Sequence, residues 1–189
     1  MWFRCHRRRP AANNGAWWFQ PAPEPYDSDD PGGRFDLHSP SGTCYVADSA
    51  LTALWEFVGA VYLDNGLRVS ETFLEGHLIS ALSIPHSEVA ALLAGHTGMR
   101  GVTRELSTTA DYDMCQSWAE AFHDVGLDGL RYEPRFSPGD SVALALFGPA
   151  GALDPTRDGD PSPITALSVA LASGLSIDAV PPSGEMDSV

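Results

Sequence analysis

One strand-to-helix segment constrains the fold of this chain most strongly. Residues 43–46 (TCYV) are β-branched, aromatic or otherwise strand-compatible and lie between turn-forming pairs, which is typical of a strand. Ser49 then provides a helix N-cap, and the following segment 50–63 repeats apolar residues at helical intervals, at Leu51, Leu54, Trp55 and Val58. A second face carries Ala53, Phe57 and Ala60, so the helix is expected to be covered on more than one side.

The remaining elements predict an α+β domain. A second helix is expected over 112–125, capped by Asp111, ended by Gly126, and directed inward through Trp118, Ala121 and Phe122. Residues 130–132 and 142–147 read as strands, and residues 66–106 as mixed structure. We therefore expect one domain over 1–150, and a tail over 151–189 that is rich in Pro, Gly, Asp and Ser. An apolar patch at 164–177 could form one short helix, and 181–189 are expected to be disordered.

The charged residues exclude several kinds of site. All 11 basic residues are Arg, so a P-loop lysine and a Schiff-base lysine are excluded. The formal net charge of −14 disfavours binding to nucleic acid, because duplex binding needs several cations to displace counterions. Neither a Gly-x-Ser-x-Gly nor a Gly-x-Gly-x-x-Gly motif occurs, which leaves hydrolases of that type and Rossmann enzymes without support.

The cysteine, histidine and hydropathy patterns predict a soluble protein with reduced thiols and no metal site. The three cysteines, an odd number spaced far apart, suit reduced thiols better than disulfides or a zinc cage. The six histidines show no metal-binding spacing, so no metal site is expected. The N-terminal decapeptide lacks the apolar run of a signal peptide, and no stretch is long enough to span a membrane. We expect a cytoplasmic location.

Glu56 is the first candidate for chemistry, because it is the only charged side chain in 50–63. Two interpretations are open. It lies away from the apolar stripe, so it could face solvent. Its neighbours on that face are apolar, however, which favours a carboxylate in a cleft.

Arginines are the second set of candidates. Gly32 and Gly33 allow the backbone to bend and precede Arg34 and Phe35, and a guanidinium is well shaped for bidentate contact with phosphate or carboxylate. A surface arginine in a turn is the simpler alternative. Arg4 follows a short apolar stretch that could enter the sheet.

These pieces, in this order, resemble the RES domain, a family named for an Arg, a Glu and a Ser. The resemblance rests on Phe3-Arg4, the GGRF string at 32–35, the GTCYVA string at 42–47, Glu56, and the DGLRY string at 128–132. Arg34 lies eleven residues before Tyr45, and Glu56 lies eleven residues after it. The resemblance covers 3–147 and leaves out the residues after Phe147.

The resemblance implies a fold similar to ADP-ribosyltransferase toxins, with mixed or antiparallel sheets flanked by helices. It also implies an enzyme that uses NAD as a substrate, requires no cofactor, and breaks the nicotinamide–ribose bond by phosphorolysis or hydrolysis. Many members are toxins held inactive by an Xre-type antitoxin. In this chain, Arg4 and Arg34 would hold the phosphates, Tyr45 would line the nicotinamide–ribose pocket, and Glu56 would be the catalytic carboxylate.

The chain departs from the family pattern at the third residue of the name. Pro134 stands near the position where many members have Ser. The polar contact could come instead from Ser137, or from Cys115 and Ser117, which flank Gln116 on the second helix. Two rival functions follow: a transferase that places ADP-ribose on a macromolecule, and a non-catalytic member that binds a nucleotide or a partner.

Overall fold

The computed structural model describes residues 1–8, 15–24, 31–84, 89–91, 106, 109–137, 139–152 and 162–178, with the backbone alone described at 89–91 and 152. The strands are β1 Trp2–Arg7, β2 Trp18–Phe19, β3 Ser41–Ala47, β4 Val69–Ser70, β5 His77–Leu82, β6 Val89–Ala91, β7 Gly129–Tyr132, β8 Ala143–Pro149, β9 Gly151–Ala152, β10 Ile164–Thr165 and β11 Ile177–Asp178. The helices are α1 Ala50–Asp64, α2 Glu71–Glu75, α3 Tyr112–Asp124 and α4 Ala166–Ser173.

A seven-stranded sheet forms the centre of the domain, in the order β10-β5-β1-β3-β8-β7-β6. Its neighbouring strands are antiparallel except for the parallel pair β6 and β7. Two small sheets, β2 with β9 and β4 with β11, lie beside it. The α+β class with a largely antiparallel sheet and flanking helices, as expected from the sequence, is confirmed.

Local sequence signals account for the two longer helices. The Ser49 hydroxyl accepts a hydrogen bond from the Thr52 amide at 3.0 Å, and the Asp111 carboxylate accepts one from the Met114 amide at 3.0 Å. In α1, Leu54 and Val58 are fully buried, whereas Leu51 remains 38% exposed. The apolar stripe therefore begins one turn later than the periodicity indicated.

The inward face of α3 differs from the expectation. Cys115, Gln116 and Ala119 are buried, while Ala121 is exposed. Trp118 and Phe122 are partly buried against the core. The helix is rotated so that Cys115 and Ala119 lie in one buried cluster with Phe35 and Leu37 from the loop before β3.

Residues 164–178, expected in an irregular tail, pack onto the domain instead. β10 pairs with β5, β11 pairs with β4, and α4 buries Ala166 and Ala170 against α1. The segment does contain the single short helix. Its pairing partners lie about 85 to 110 residues earlier in the sequence, so no local pattern could have indicated them. Residues 181–189 lie outside the described part of the chain.

Candidate active site

A cavity of about 630 Å³ opens where β1 and β3 separate. The two strands share a single residue pair, Phe3 with Ala47, whereas β1 pairs with β5 along six residues. Both strands contribute to the cavity wall, together with α1, the 32–36 turn, the start of α3 and residues 132–136. The volume is within the range of ordinary small-molecule sites.

Glu56 lies in the wall of this cavity and not on the solvated face of α1. It is partly buried, and one carboxylate oxygen accepts a hydrogen bond from the Phe136 amide at 3.2 Å. Burial raises the pKa of this carboxyl, although backbone N–H groups of Phe136 and Arg135 and the charges of Arg34 and Arg135 act in the opposite direction. The site thus holds a carboxylate that is largely shielded from water.

A glycine in α1 permits the contact that orients Glu56. A Cβ atom at Gly59 would lie 2.2 Å from the Phe136 ring, so the ring packs directly on the helix backbone. This packing brings the Phe136 amide to the Glu56 carboxylate one turn away. Glycine inside a helix costs about 1 kcal/mol relative to alanine. The presence of Gly59 within α1 is therefore the feature of the sequence that indicates a close approach at this position.

Arg34 is buried beside the same cavity, with 9% of its surface exposed. Its Nη1 group donates to the carbonyl oxygens of Leu106 and Thr109, and its guanidinium lies 5.0 Å from the ring centroid of Tyr112. Among the residues that the structure describes, no carboxylate oxygen lies within 4.0 Å of it. Its charge is therefore fixed in place and still available to an anionic ligand.

The turn that carries Arg34 is held by hydrogen bonds on both sides. The Asp36 carboxylate accepts from the Gly33 amide at 2.6 Å, and the Tyr45 hydroxyl accepts from the Phe35 amide at 2.8 Å. A Cβ at Gly33 would lie 2.6 Å from the Tyr45 hydroxyl oxygen, so the close approach needs glycine. Tyr45 consequently lines the cavity and also supports the turn.

Arg4 completes the positive side of the cavity. Its Nη1 group contacts the carbonyl oxygens of Ala16 and Trp18 and lies 2.7 Å from the Cys44 sulfur. In the described part of the chain it has no carboxylate within 4.0 Å either. The structure therefore brings Arg4, Arg34, Tyr45 and Glu56 to one cavity.

The sequence reasoning missed several cavity residues, among them the titratable side chains of Asp36, Tyr132 and Arg135. Asp36 is fully buried, and its burial raises its pKa to about 6, against the lowering effects of the Gly33 amide and the Arg4 charge. Burial also raises the pKa of Tyr132. Arg135 is exposed at the rim, and its charge acts on Glu56.

Neither a metal centre nor a membrane helix is found in the part of the chain that the structure describes. No three His, Cys, Asp or Glu side chains there are grouped so that they could hold a metal ion. No described helix has the length and apolar character needed to cross a bilayer.

A protein-family model matches most of this chain. The family model of the RES domain matches residues 1–168. The chain belongs to the RES domain family. The match continues beyond Phe147, where the sequence resemblance had stopped, and so includes β9, β10 and the start of α4.

The fold of this RES domain is similar to a solved one. A chain in the crystal structure of the M. tuberculosis MbcT–MbcA toxin–antitoxin complex superposes with a TM-score of 0.59 at 16% sequence identity. The similarity covers 92% of this chain and 87% of the other. No curated protein matches this RES domain in sequence.

The α3 residues expected at the substrate, Cys115, Gln116 and Ser117, do not line the cavity of this RES domain. Cys115 is buried, with its sulfur 3.4 Å from the Leu106 carbonyl, and Ser117 is exposed. Ser137, the other alternative for the family serine, is likewise absent from the cavity wall. Gln116 is buried behind the Arg34 turn, where its Nε2 donates to the carbonyls of Pro31 at 2.8 Å and Gly33 at 3.0 Å.

Replacing Gln116 by Leu should weaken both the fold and the site. The change leaves two carbonyls of the Arg34 turn without their donor, at a cost of about 1 to 3 kcal/mol in the free energy of unfolding. Denaturant titration measures this cost, and the neighbouring exposed variant Ser117→Ala should show a change below about 0.5 kcal/mol. Equal stability of the two variants would contradict the role assigned to Gln116.

Replacing Asp36 by Asn should stabilise the domain in a pH-dependent manner. The pKa of Asp36 is raised in the folded state, so the folded chain binds this proton more tightly and the wild type loses stability as the pH rises from about 4 to 6. Asn carries no such charge. The stability of the variant relative to wild type should therefore increase by roughly 2 kcal/mol between about pH 4 and pH 8. A difference that stays constant across this range would contradict the burial of a charged Asp36.

Proposed function

We propose that this RES domain cleaves the nicotinamide–ribose bond of NAD, with phosphate or water as the acceptor. Arg7 and Arg135 also line this cavity, but the observation that carries the proposal is a shielded carboxylate that shares the cavity with Arg4 and Arg34. Neither arginine has a carboxylate within 4.0 Å among the described residues. This combination suits a substrate with one cationic centre and a diphosphate.

Cleavage of the nicotinamide–ribose bond is assisted more by a nearby negative charge than by a general acid. The C1′–N bond breaks with its electron pair going to the nicotinamide nitrogen, so nicotinamide leaves as a neutral molecule and needs no proton. Positive charge then develops on the ribose, and Glu56 stabilises it from a partly buried position in the cavity wall. A phosphate or water oxygen forms the new bond to C1′, and in the case of water a proton is released to solvent.

The arginines supply binding and position. The diphosphate carries about two negative charges, and the chain as a whole is strongly acidic, so positive charge has to be concentrated locally. Arg4 from β1 and Arg34 from the 32–36 turn both place a guanidinium at this cavity. Carbonyl groups hold both guanidiniums in place before the ligand arrives, which reduces the entropy lost on binding.

A phosphorus-31 spectrum of NAD incubated with the purified protein tests the proposal. In phosphate buffer, phosphorolysis consumes NAD and produces a new phosphomonoester resonance, and hydrolysis produces ADP-ribose without it. Label transferred from NAD to a macromolecule would instead identify the protein as an ADP-ribosyltransferase. An unchanged NAD spectrum with folded protein would contradict cleavage.

We further propose that the protein is a toxin restrained by an antitoxin, of the Xre type in this family. The support is family membership together with a fold shared with a chain of a toxin–antitoxin complex. Induced expression of the wild type without a partner should deplete cellular NAD and stop growth, and Glu56→Gln should do neither. Growth arrest by both proteins would argue against NAD depletion as the cause.

A further inference from the structure

The indole ring of Trp18 is left outside the hydrophobic core, although both neighbouring side chains are inside it. Trp17 and Phe19 are 6% and 3% exposed and pack into one buried cluster. Because side chains alternate along a strand, Trp18 projects opposite to Phe19 in β2. There it is partly exposed and lines the cavity. Within the described residues it belongs to none of the three core clusters.

The polar edge of this ring is already occupied. The indole Nε1 donates to the Gln20 side-chain oxygen at 3.0 Å, and the Gln20 amide nitrogen donates to the Pro21 carbonyl at 3.2 Å. The two hydrogen bonds fix the orientation of the indole ring by holding its Nε1 edge. What Trp18 can still provide to a ligand is an apolar π-face.

Trp18 lies beside Arg4 in the cavity wall. Its carbonyl oxygen accepts a hydrogen bond from Arg4, so the ring and the guanidinium are positioned together. Glu56, by contrast, contacts the Phe136 amide in the segment 132–136. Trp18 and Glu56 therefore lie on different elements of one cavity wall, with Arg4 beside Trp18.

We propose that Trp18 is the stacking surface for the purine base of the dinucleotide, the base remote from the bond that is cleaved. The inference rests on the proposed function, since it places the reacting ribose at Glu56. A diphosphate bound between Arg34 and Arg4 then directs the second nucleoside toward Trp18. A base that stacks on an aromatic ring can shift slightly without losing the contact. Such a contact is suited to the purine, which anchors the substrate and does not take part in the reaction.

Kinetics with two substrates test this assignment. Trp18→Leu should raise the KM for NAD by about tenfold, because base stacking on an aromatic residue contributes roughly that much. The same variant should cleave nicotinamide mononucleotide, which has no purine, as efficiently as wild type. Trp18→Phe keeps a π-face and should retain most of the NAD affinity. An unchanged KM for NAD, or an equal loss with both substrates, would overturn the assignment.

Calorimetry with ADP separates this inference from the proposed function. ADP carries the purine and phosphates but no reacting bond, so we expect Trp18→Leu to weaken its binding by about tenfold relative to wild type. Equal affinities, or no binding of ADP to wild type, would overturn the role of Trp18. If ADP binding depends on Trp18 while wild type leaves NAD intact, cleavage is excluded and the base site stands. If the Leu variant does not fold, Trp18→Tyr and Trp18→Met form a second aromatic–aliphatic pair.

Discussion

Glu56→Gln is expected to lower the rate of NAD cleavage by on the order of 10³-fold and to leave the fold intact. The amide keeps the oxygen that accepts the Phe136 amide hydrogen bond, so the local packing around Gly59 should survive. It loses the negative charge that stabilises the developing cation on the ribose. Release of free nicotinamide from NAD, measured with purified protein, gives the effect directly.

The matched control is Glu75→Gln, which removes the same charge from an exposed position at the end of α2. It should cleave NAD at the wild-type rate. Circular dichroism and melting temperature establish that both variants fold. Undiminished nicotinamide release by Glu56→Gln would remove this residue from the reaction.

Arg34→Lys should lower kcat/KM for NAD by on the order of 10²-fold or more, although the charge is retained. A lysine ammonium cannot both reach the carbonyls of Leu106 and Thr109 and present a planar fork to a phosphate. It also loses the contact of the guanidinium with the Tyr112 ring. The substrate would then bind more weakly and in a less favourable position for reaction.

Steady-state kinetics of Arg34→Lys are best compared with those of Arg68→Lys. Arg68 is largely exposed and forms a surface ion pair with Asp178 at 2.8 Å, so its replacement should leave kcat/KM unchanged. Equal kcat/KM values for the two variants would show that Arg34 does not contact the substrate.

Local signals predicted the elements whose determinants lie close together in the sequence. The strand at 43–46 and the helix at 50–63 were predicted because a cap and an apolar period occur within a few residues of each other. Glu56 was identified for a similar reason, as a lone charge in an apolar helix. Its burial, however, depends on Phe136 arriving from 80 residues away, which the sequence does not show.

Contacts between distant segments could not be predicted from the same patterns. Asp36 reads as an ordinary polar turn residue, and it is buried only because β3 and the turn pack together. The sequence predicts Gln116 at the substrate, yet the orientation of α3 directs its side chain to the back of the Arg34 turn. Family resemblance supplied the roles of the arginines, and the hydrogen bonds of the structure show how each is held.

A crystal structure of the Glu56→Gln variant soaked with NAD would show directly where the substrate binds. We expect NAD in the cavity between β1 and β3, with the nicotinamide ribose beside residue 56 and the diphosphate between Arg34 and Arg4. Density for NAD at any other place, or an orientation that puts the diphosphate out of reach of both arginines, would contradict this expectation.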